Sequence, residues 1–198
     1  MKIYLPALAL ALLAATATAQ APPRVRGVIE AVEGATLVVA TPSDGVVRLT
    51  LTDMTGINGL EKRTIADIAD NTFVGATAVK NSDGRWEATE VHIFPESMRG
   101  AGEGHYAWDL PESTMTNGAA TGVVAKGRRG GTMTVRHAGG NVEIDVTRRT
   151  EIVALTTGSR ALLVPGATIM ALAAPAQGGG PATAVAVIAE TNGVKPPM

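Results

Sequence analysis

The stretch RVRGVIEAVEGATLVVATPSDGVVRLTLTDMT, residues 24–55, reads against AATGVVAKGRRGGTMTVRHAGGNVEIDVTRRT, residues 119–150, and this match decides the fold. Gly27 stands opposite Gly122, Leu37 opposite Met133, Leu49 opposite Ile144 and Thr55 opposite Thr150, at a separation of about 95 positions. The register continues to the end of each copy, where residues 71–79 fall opposite 166–174 and residues 88–93 opposite 182–187. Self-similarity at a fixed period marks one structural unit used twice. Val47-Arg48-Leu49-Thr50-Leu51-Thr52 and Val142-Glu143-Ile144-Asp145-Val146-Thr147 alternate apolar with polar, which sets one face of a strand against a core and the other in water. Turn chemistry separates such runs: Glu33-Gly34, Asp44-Gly45 and Ser82-Asp83-Gly84 in copy one; Gly130-Gly131, Gly139-Gly140-Asn141 and Gly178-Gly179-Gly180 in copy two.

Five strands per copy follow. Between the third and fourth, residues 59–68 and 157–165 do not alternate, and Leu60, Ile65 and Ile68 are spaced to share one face of a short helical turn that closes a barrel end. Three strands, a plug and two strands is the order of an OB-like barrel, although an open five-stranded roll gives the same pattern. The expectation is therefore an all-β protein of two tandem five-stranded antiparallel OB-like barrels, residues 24–94 and 119–189. An inter-domain segment, 95–118, joins them and a tail, 190–198, follows.

Composition narrows the function classes. Of 198 residues 45% are hydrophobic but only 3% aromatic, so the cores must be built from small aliphatic side chains. Net charge is −1, and loss of Lys2 with the leader described below takes it to −2. A nucleic-acid binder carries a basic excess that releases counterions from phosphates; with none here, nucleic acid is not an expected partner. The chain has no cysteine, which removes disulfides, thiolate nucleophiles and cysteine-based metal sites.

The N-terminus combines Lys2, an apolar run from Ile3 to about Ala14, and small residues at Ala17-Thr18-Ala19, the layout of a secretory signal peptide over residues 1–19. Cleavage after Ala19 leaves Gln20 first, whereas a cut after Ala21 would put the fixed φ of Pro22 in the protease cleft. The run is shorter than the roughly 20 residues a bilayer requires, so the expectation is a periplasmic or secreted protein without stable membrane insertion.

The pattern Gly27-x-Ile29-x-Ala31-Val32-x-Gly34-x-Thr36-Leu37-x-Val39, with the later Ala88-Thr89-x-Val91-x-Ile93-Phe94, resembles the exported β-rich repeat domains of unknown function found in bacteria. The run HIFPESMRGAGEGHYAWDLPESTMTN, residues 92–117, is similar to a signature of one subgroup, often labelled metal ABC transporter permease. The resemblance covers essentially the whole mature chain and implies the β-domain fold. The label implies metal handling, whereas a permease needs several spanning helices and this sequence has none.

The connecting segment holds the residues least explained by fold: His92, Glu96, Arg99, Glu103, His105, Tyr106, Trp108 and Asp109. Long non-repetitive connections in compact proteins are often functional. Three readings of it stand side by side. In the first it binds an unknown small-molecule ligand or protein partner. In the second His92 and His105 hold a divalent metal, as an accessory in metal trafficking would, though no His-x-His or HExxH spacing is present. In the third, purely structural, Trp108 and Leu110 plug the junction, Arg99 pairs with a nearby carboxylate and the histidines cap carbonyls. Gly100-Ala101-Gly102-Glu103-Gly104 lacks the strand and helix of a phosphate loop. Lys126, Arg128, Arg129 and Arg136 form a basic hairpin, read as a solvated face. Ser97 and Ser113 lie in no nucleophile turn, and Glu96 with Glu103 declares no glycosidase spacing, so no enzyme is expected.

Overall fold

The computed structural model describes residues 23–109, 111–127, 130–175 and 180–196. The leader, Leu110, Arg128, Arg129 and the pair Gly178-Gly179 lie outside the described residues. Among the described residues the protein is all-β, and its helical segments are single 3-10 turns. Its strands are β1 (Arg24–Glu33), β2 (Thr36–Thr41), β3 (Gly45–Thr50), β4 (Gly56–Lys62), β5 (Phe73–Lys80) and β6 (Trp86–Ile93), followed by β7 (Gly104–Ala107) in the connecting segment. The second copy supplies β8 (Thr114–Ala125), β9 (Gly131–His137), β10 (Gly140–Thr157), β11 (Thr168–Ala174) and β12 (Ala182–Ala189).

The pairing corrects the expectation of two barrels in tandem. β1 pairs with β2 and β2 with β3, but the ring they begin is closed by β12 and β11 of the second copy. The other ring takes β8, β9 and β10 from the second copy and β5 and β6 from the first. Each ring thus joins the first three strands of one copy to the last two of the other. Both contain one parallel seam, β3 with β12 and β6 with β10, so neither is wholly antiparallel. All twelve strands belong to one hydrogen-bonded sheet that closes on itself twice.

The exchange happens at a corner built identically in both copies. The Thr52 N–H donates to Thr55 Oγ1 at 2.9 Å and the Thr55 hydroxyl donates to Ala184 O at 2.8 Å. In the second copy Thr147 N–H donates to Thr150 Oγ1 at 2.9 Å and the Thr150 hydroxyl to Ala88 O at 2.7 Å. Past this corner the chain does not turn back into its own ring. β4 runs on between β12 of one ring and β10 of the other. In copy two the strand continues without a break, so β10 covers what are β3 and β4 in copy one, and the expected five strands of copy one become six.

β4 and β10 pair antiparallel with Leu60 opposite Leu155. These two residues also occupy the same place in the repeat, so a local two-fold axis passes between them. They form a small central cluster with Val153, each 1–4% exposed. The ring interiors are separate clusters, one around Ile29, Leu37, Leu49 and Ile169, the other around Val74, Val91, Met133 and Ile144. Ile65 and Ile68, beside the 3-10 turn Ile65–Asp67, plug the second ring, whereas Leu60 belongs to the central cluster.

Two details of the repeat register also change. Gly27 corresponds to Gly118, not Gly122: a Cβ would sit 2.1 Å from Ala40 O at the first and 2.2 Å from Arg136 O at the second. A longer bulge in β8, between Thr121 and Val124, shifts the alignment there. In the last strand Val91 corresponds to Val187, because Ile152 opposite Val91 matches Ile57 opposite Val187. The sequence alignment is therefore displaced by two positions there, which preserves the face and hides the slip.

Leu60→Ala is expected to cost about 2–5 kcal/mol in urea unfolding, since the cavity it leaves lies where the rings join. A protease site introduced between Gly100 and Gly102, cut in the folded protein, is expected to leave both fragments eluting together on size exclusion with unchanged circular dichroism. Two separate half-size species would mean that each copy closes its own ring.

Candidate functional site

The outer faces of the two rings flank the β4–β10 pair, and the connecting segment crosses above the groove between them. Glu96–Met98 forms a 3-10 turn, and β7 adds to the edge of β8 with His105 opposite Thr116 and Tyr106 opposite Met115. The Trp108 N–H then donates to Ser113 O at 2.9 Å, closing a hairpin. This strap is fastened at both ends. Arg99 forms a two-toothed pair with the Glu96 carboxylate and donates to Asn71 O at 2.9 Å. At the far end Asp109 accepts from Arg24 at 2.6 Å and from Arg26, both on β1 of the opposite ring, while the Arg24 guanidinium lies 3.5 Å over the Trp108 ring. Cation–aromatic stacking and a shared carboxylate hold the strap to the ring opposite the one to which β7 adds through β8.

Beneath the strap lies a cavity of about 300 Å³. Phe94, Met98, Tyr106 and Trp108 of the segment form its roof and end walls. Met115 and Asn117 of β8 and His92 of β6 line one side, Met170 and Leu172 of β11 and Ile188 of β12 the other. A larger depression along Lys80, Trp86 and Glu112 is open to solvent and has no comparable enclosure.

Across the local two-fold the walls correspond strand by strand. Arg26, Met170, Ile188 and Asn58 neighbour one another in one ring where Asn117, Gly75, His92 and Val153 do in the other. In the adjoining row Leu172 and Ala186 stand where Thr77 and Glu90 do. Met170, Ile188, Leu172 and Ala186 of β11 and β12 are thus apolar where Gly75, His92, Thr77 and Glu90 of β5 and β6 carry a polar set, and Arg26 and Asn58 flank the apolar positions. Gly75 makes room for that set: a Cβ there would lie 2.5 Å from Asn117 Oδ1 and 2.8 Å from the Phe94 ring.

The polar wall is buried and incompletely satisfied. His92 is 6% and Asn117 8% exposed. The Asn117 Nδ2 donates to Gly102 O at 3.1 Å, to Ala101 O at 3.4 Å and to Tyr106 Oη at 3.3 Å, an acceptor set that fixes the amide orientation. Its Oδ1 has no hydrogen-bond partner among the described residues. His92 Nε2 approaches Glu90 Oε1 at 2.6 Å, but the oxygen is off the direction a hydrogen bond requires, so that nitrogen too is unsatisfied. The Arg24 Nε at the cavity's end is a third such atom.

The eight expected site residues therefore divide. His92, Tyr106 and Trp108 line the cavity; Glu96, Arg99 and Asp109 fasten the strap; Glu103 is exposed and acts on Arg99 only through its charge. His105 turns away, its Nδ1 2.8 Å from Thr116 Oγ1, and packs edge-on to Trp86 and near-parallel to His137. The structure does not bring His92 and His105 together as a metal pair. Among the described residues no group of three or more His, Asp or Glu is arranged to hold a metal ion. Trp108 sits at the junction as expected, mostly though not fully buried. Sequence reading missed Arg24, Gly75, Phe94 and Asn117. The signal that marks the polar wall is position-by-position comparison of the copies, which needs the correct register in the last strand.

Local electrostatics follow the contacts. The hydrogen bond from Arg99 holds the Glu96 carboxyl below its ordinary range, and Arg99 is raised in return. Burial pushes the Tyr106 phenol up, with Arg24 opposing. Burial, and to a lesser degree the charge of His137, pulls His105 down. Family models, curated proteins and solved structures were each compared with the chain, and none matches it.

Asp109→Ala leaves two arginines without their shared partner and is expected to cost about 1–3 kcal/mol. Trp108→Ala is expected to cost about half of the roughly 3–5 kcal/mol of a fully buried tryptophan; chemical denaturation measures both. With the His105 pKa depressed by folding, the unfolded chain binds the extra proton first. Stability should therefore fall as pH drops below about 6.5 and level off below the folded-state pKa. His105→Gln should flatten that part of the profile of melting temperature against pH.

Proposed function

We propose that this protein is a non-enzymatic, exported binding module that takes its ligand in the groove between the rings, under the strap. The observation that carries the reading is the incompletely satisfied polar wall of a largely apolar, strap-covered cavity. Buried polar atoms without partners are costly, and such sites are retained where an external group completes them. The asymmetry of the two copies points the same way: they share a frame, and they differ in charge and polarity where the groove is. On this reading each ring is an OB-like barrel whose last two strands come from the other copy. The resemblance to exported β-repeat domains agrees with the leader reading, in which the mature protein begins at Gln20.

The alternative, a metal-binding accessory, draws its support from the His105–His137 pair rather than from His92. No helix among the described residues is long and apolar enough to cross a membrane.

A small-molecule panel read by thermal shift and calorimetry is expected to yield binders that lose affinity when the cavity is filled by Gly75→Met, the residue at the equivalent position of the other copy. Binders unaffected by that change would place the site elsewhere. Zinc or copper binding tighter than about 100 μM that is abolished by His105→Ala with His137→Ala would favour the metal reading instead. Intact mass of the exported protein is expected to correspond to a Gln20 start; a mass retaining residues 1–19 would mean the leader stays as an anchor.

A further inference from the structure

The polar wall also specifies chemistry. Because Asn117 Nδ2 is committed to two carbonyls and the Tyr106 oxygen, Oδ1 is the amide's free end and accepts only. It leans over Gly75, the position between Asn117 and His92 in the cross-strand row, and shares the space above that glycine with the Phe94 ring. Beside it His92 Nε2, 2.6 Å from a Glu90 carboxylate oxygen, is the ring nitrogen that carries the hydrogen, and it offers a donor. At the cavity's end Asp109 engages one terminal nitrogen of each of the Arg24 and Arg26 guanidiniums, and the Arg24 Nε–H stays open there, so an anion would find its cation at that end and not at the Asn117–His92 pair. An anion would also face Asn117 Oδ1 and the Glu90 carboxylate behind His92. An ammonium would lose its hydration against walls of Phe94, Met170, Leu172 and Ile188.

We infer that the ligand of this groove is an uncharged alcohol or phenol on a compact apolar body, its hydroxyl directed at Asn117 Oδ1 and His92 Nε2 on the polar wall. The inference rests on the binding-module reading. A hydroxyl is the smallest group that donates and accepts at once, so one oxygen satisfies both Asn117 Oδ1 and His92 Nε2. The body packs among the rings of Phe94, Tyr106 and Trp108 and the adaptable thioethers of Met98, Met115 and Met170. The volume of about 300 Å³ is at the small end of ligand pockets, which selects a molecule of one or two fused rings or a short branched chain over a long lipid tail.

The test compares three probes of one shape by calorimetry on the mature protein: 2-naphthol, 2-methylnaphthalene and 2-naphthoate. 2-Naphthol is expected to bind about tenfold or more tighter than the other two, the worth of a hydrogen bond to a buried group. His92→Ile, which copies the residue at the equivalent position of the other wall, and Asn117→Leu should each remove most of that preference. The readout is the ratio of 2-naphthol to 2-methylnaphthalene affinity within each variant, which cancels any general change in the cavity. His92→Ile suffices by itself if Asn117→Leu fails to fold. Equal or tighter binding of 2-methylnaphthalene or 2-naphthoate would overturn the alcohol assignment while leaving the binding module standing, as would panel binders that are all of another chemistry. No binding by any of the three, together with no hit in the wider panel, would overturn the binding module itself.

Discussion

The pairing of β4 with β10 around Leu60 and Leu155 is the contact on which the architecture depends. A strand that left the Thr52–Thr55 corner and returned to its own ring would give two independent small barrels. Instead it runs on, pairs with its own equivalent from the other copy, and delivers the rest of its copy to the opposite ring. Each ring of small aliphatic residues is then completed by strands from across the axis. A unit of this size has a modest core and gains from sharing. The shared sheet makes the two rings a single cooperative body rather than beads on a linker, because neither closes without the other copy's last two strands.

That topology creates the groove. Two rings joined through β4 and β10 bring their outer faces to either side of that pair, and by symmetry those faces would be alike. They are not alike: Met170, Leu172 and Ile188 on one side meet Gly75, Thr77 and His92 on the other. The strap from Phe94 to Asp109 covers the groove once, in one direction, and its anchoring by Arg24, Arg26 and Trp108 ties the first strand of the chain to the hairpin that introduces the second copy. A symmetric frame with one asymmetric cover yields one strap-covered cavity.

The energetics of the strap explain why its charged residues are divided between fastening and lining. Arg99 and Glu96 form a local pair at the surface, worth little on its own. Asp109 joins two arginines that are each about one-fifth exposed, where less water competes and loss of the carboxylate leaves two cations crowded together. The aromatic residues between these ends are then held over the cavity by backbone pairing with β8 and, at Trp108, by the Arg24 stack, which is why Trp108 can keep a partly exposed face and still close the site.

Period-two alternation, matched turns and the repeat were all readable in the linear chain, because strand faces and hairpin φ values depend on local residues: Leu49 and Ile144 are core in their rings, and Gly34 and Gly45 hold the positive φ of their turns. The connecting segment also stood out as the place where the copies have no counterpart, and six of its eight singled-out residues fasten or line the site. What the chain does not display locally is which copy a strand pairs with. An alternating strand fits either ring equally well, and only the register of β4 against β10 decides. The same holds for Asn117 and Gly75, which are unremarkable in sequence and become a polar wall only when β8, β5 and β6 lie side by side. His105 shows the converse: a residue chosen for its chemistry is turned to the other face of β7 by a two-residue period that placed Tyr106 inward.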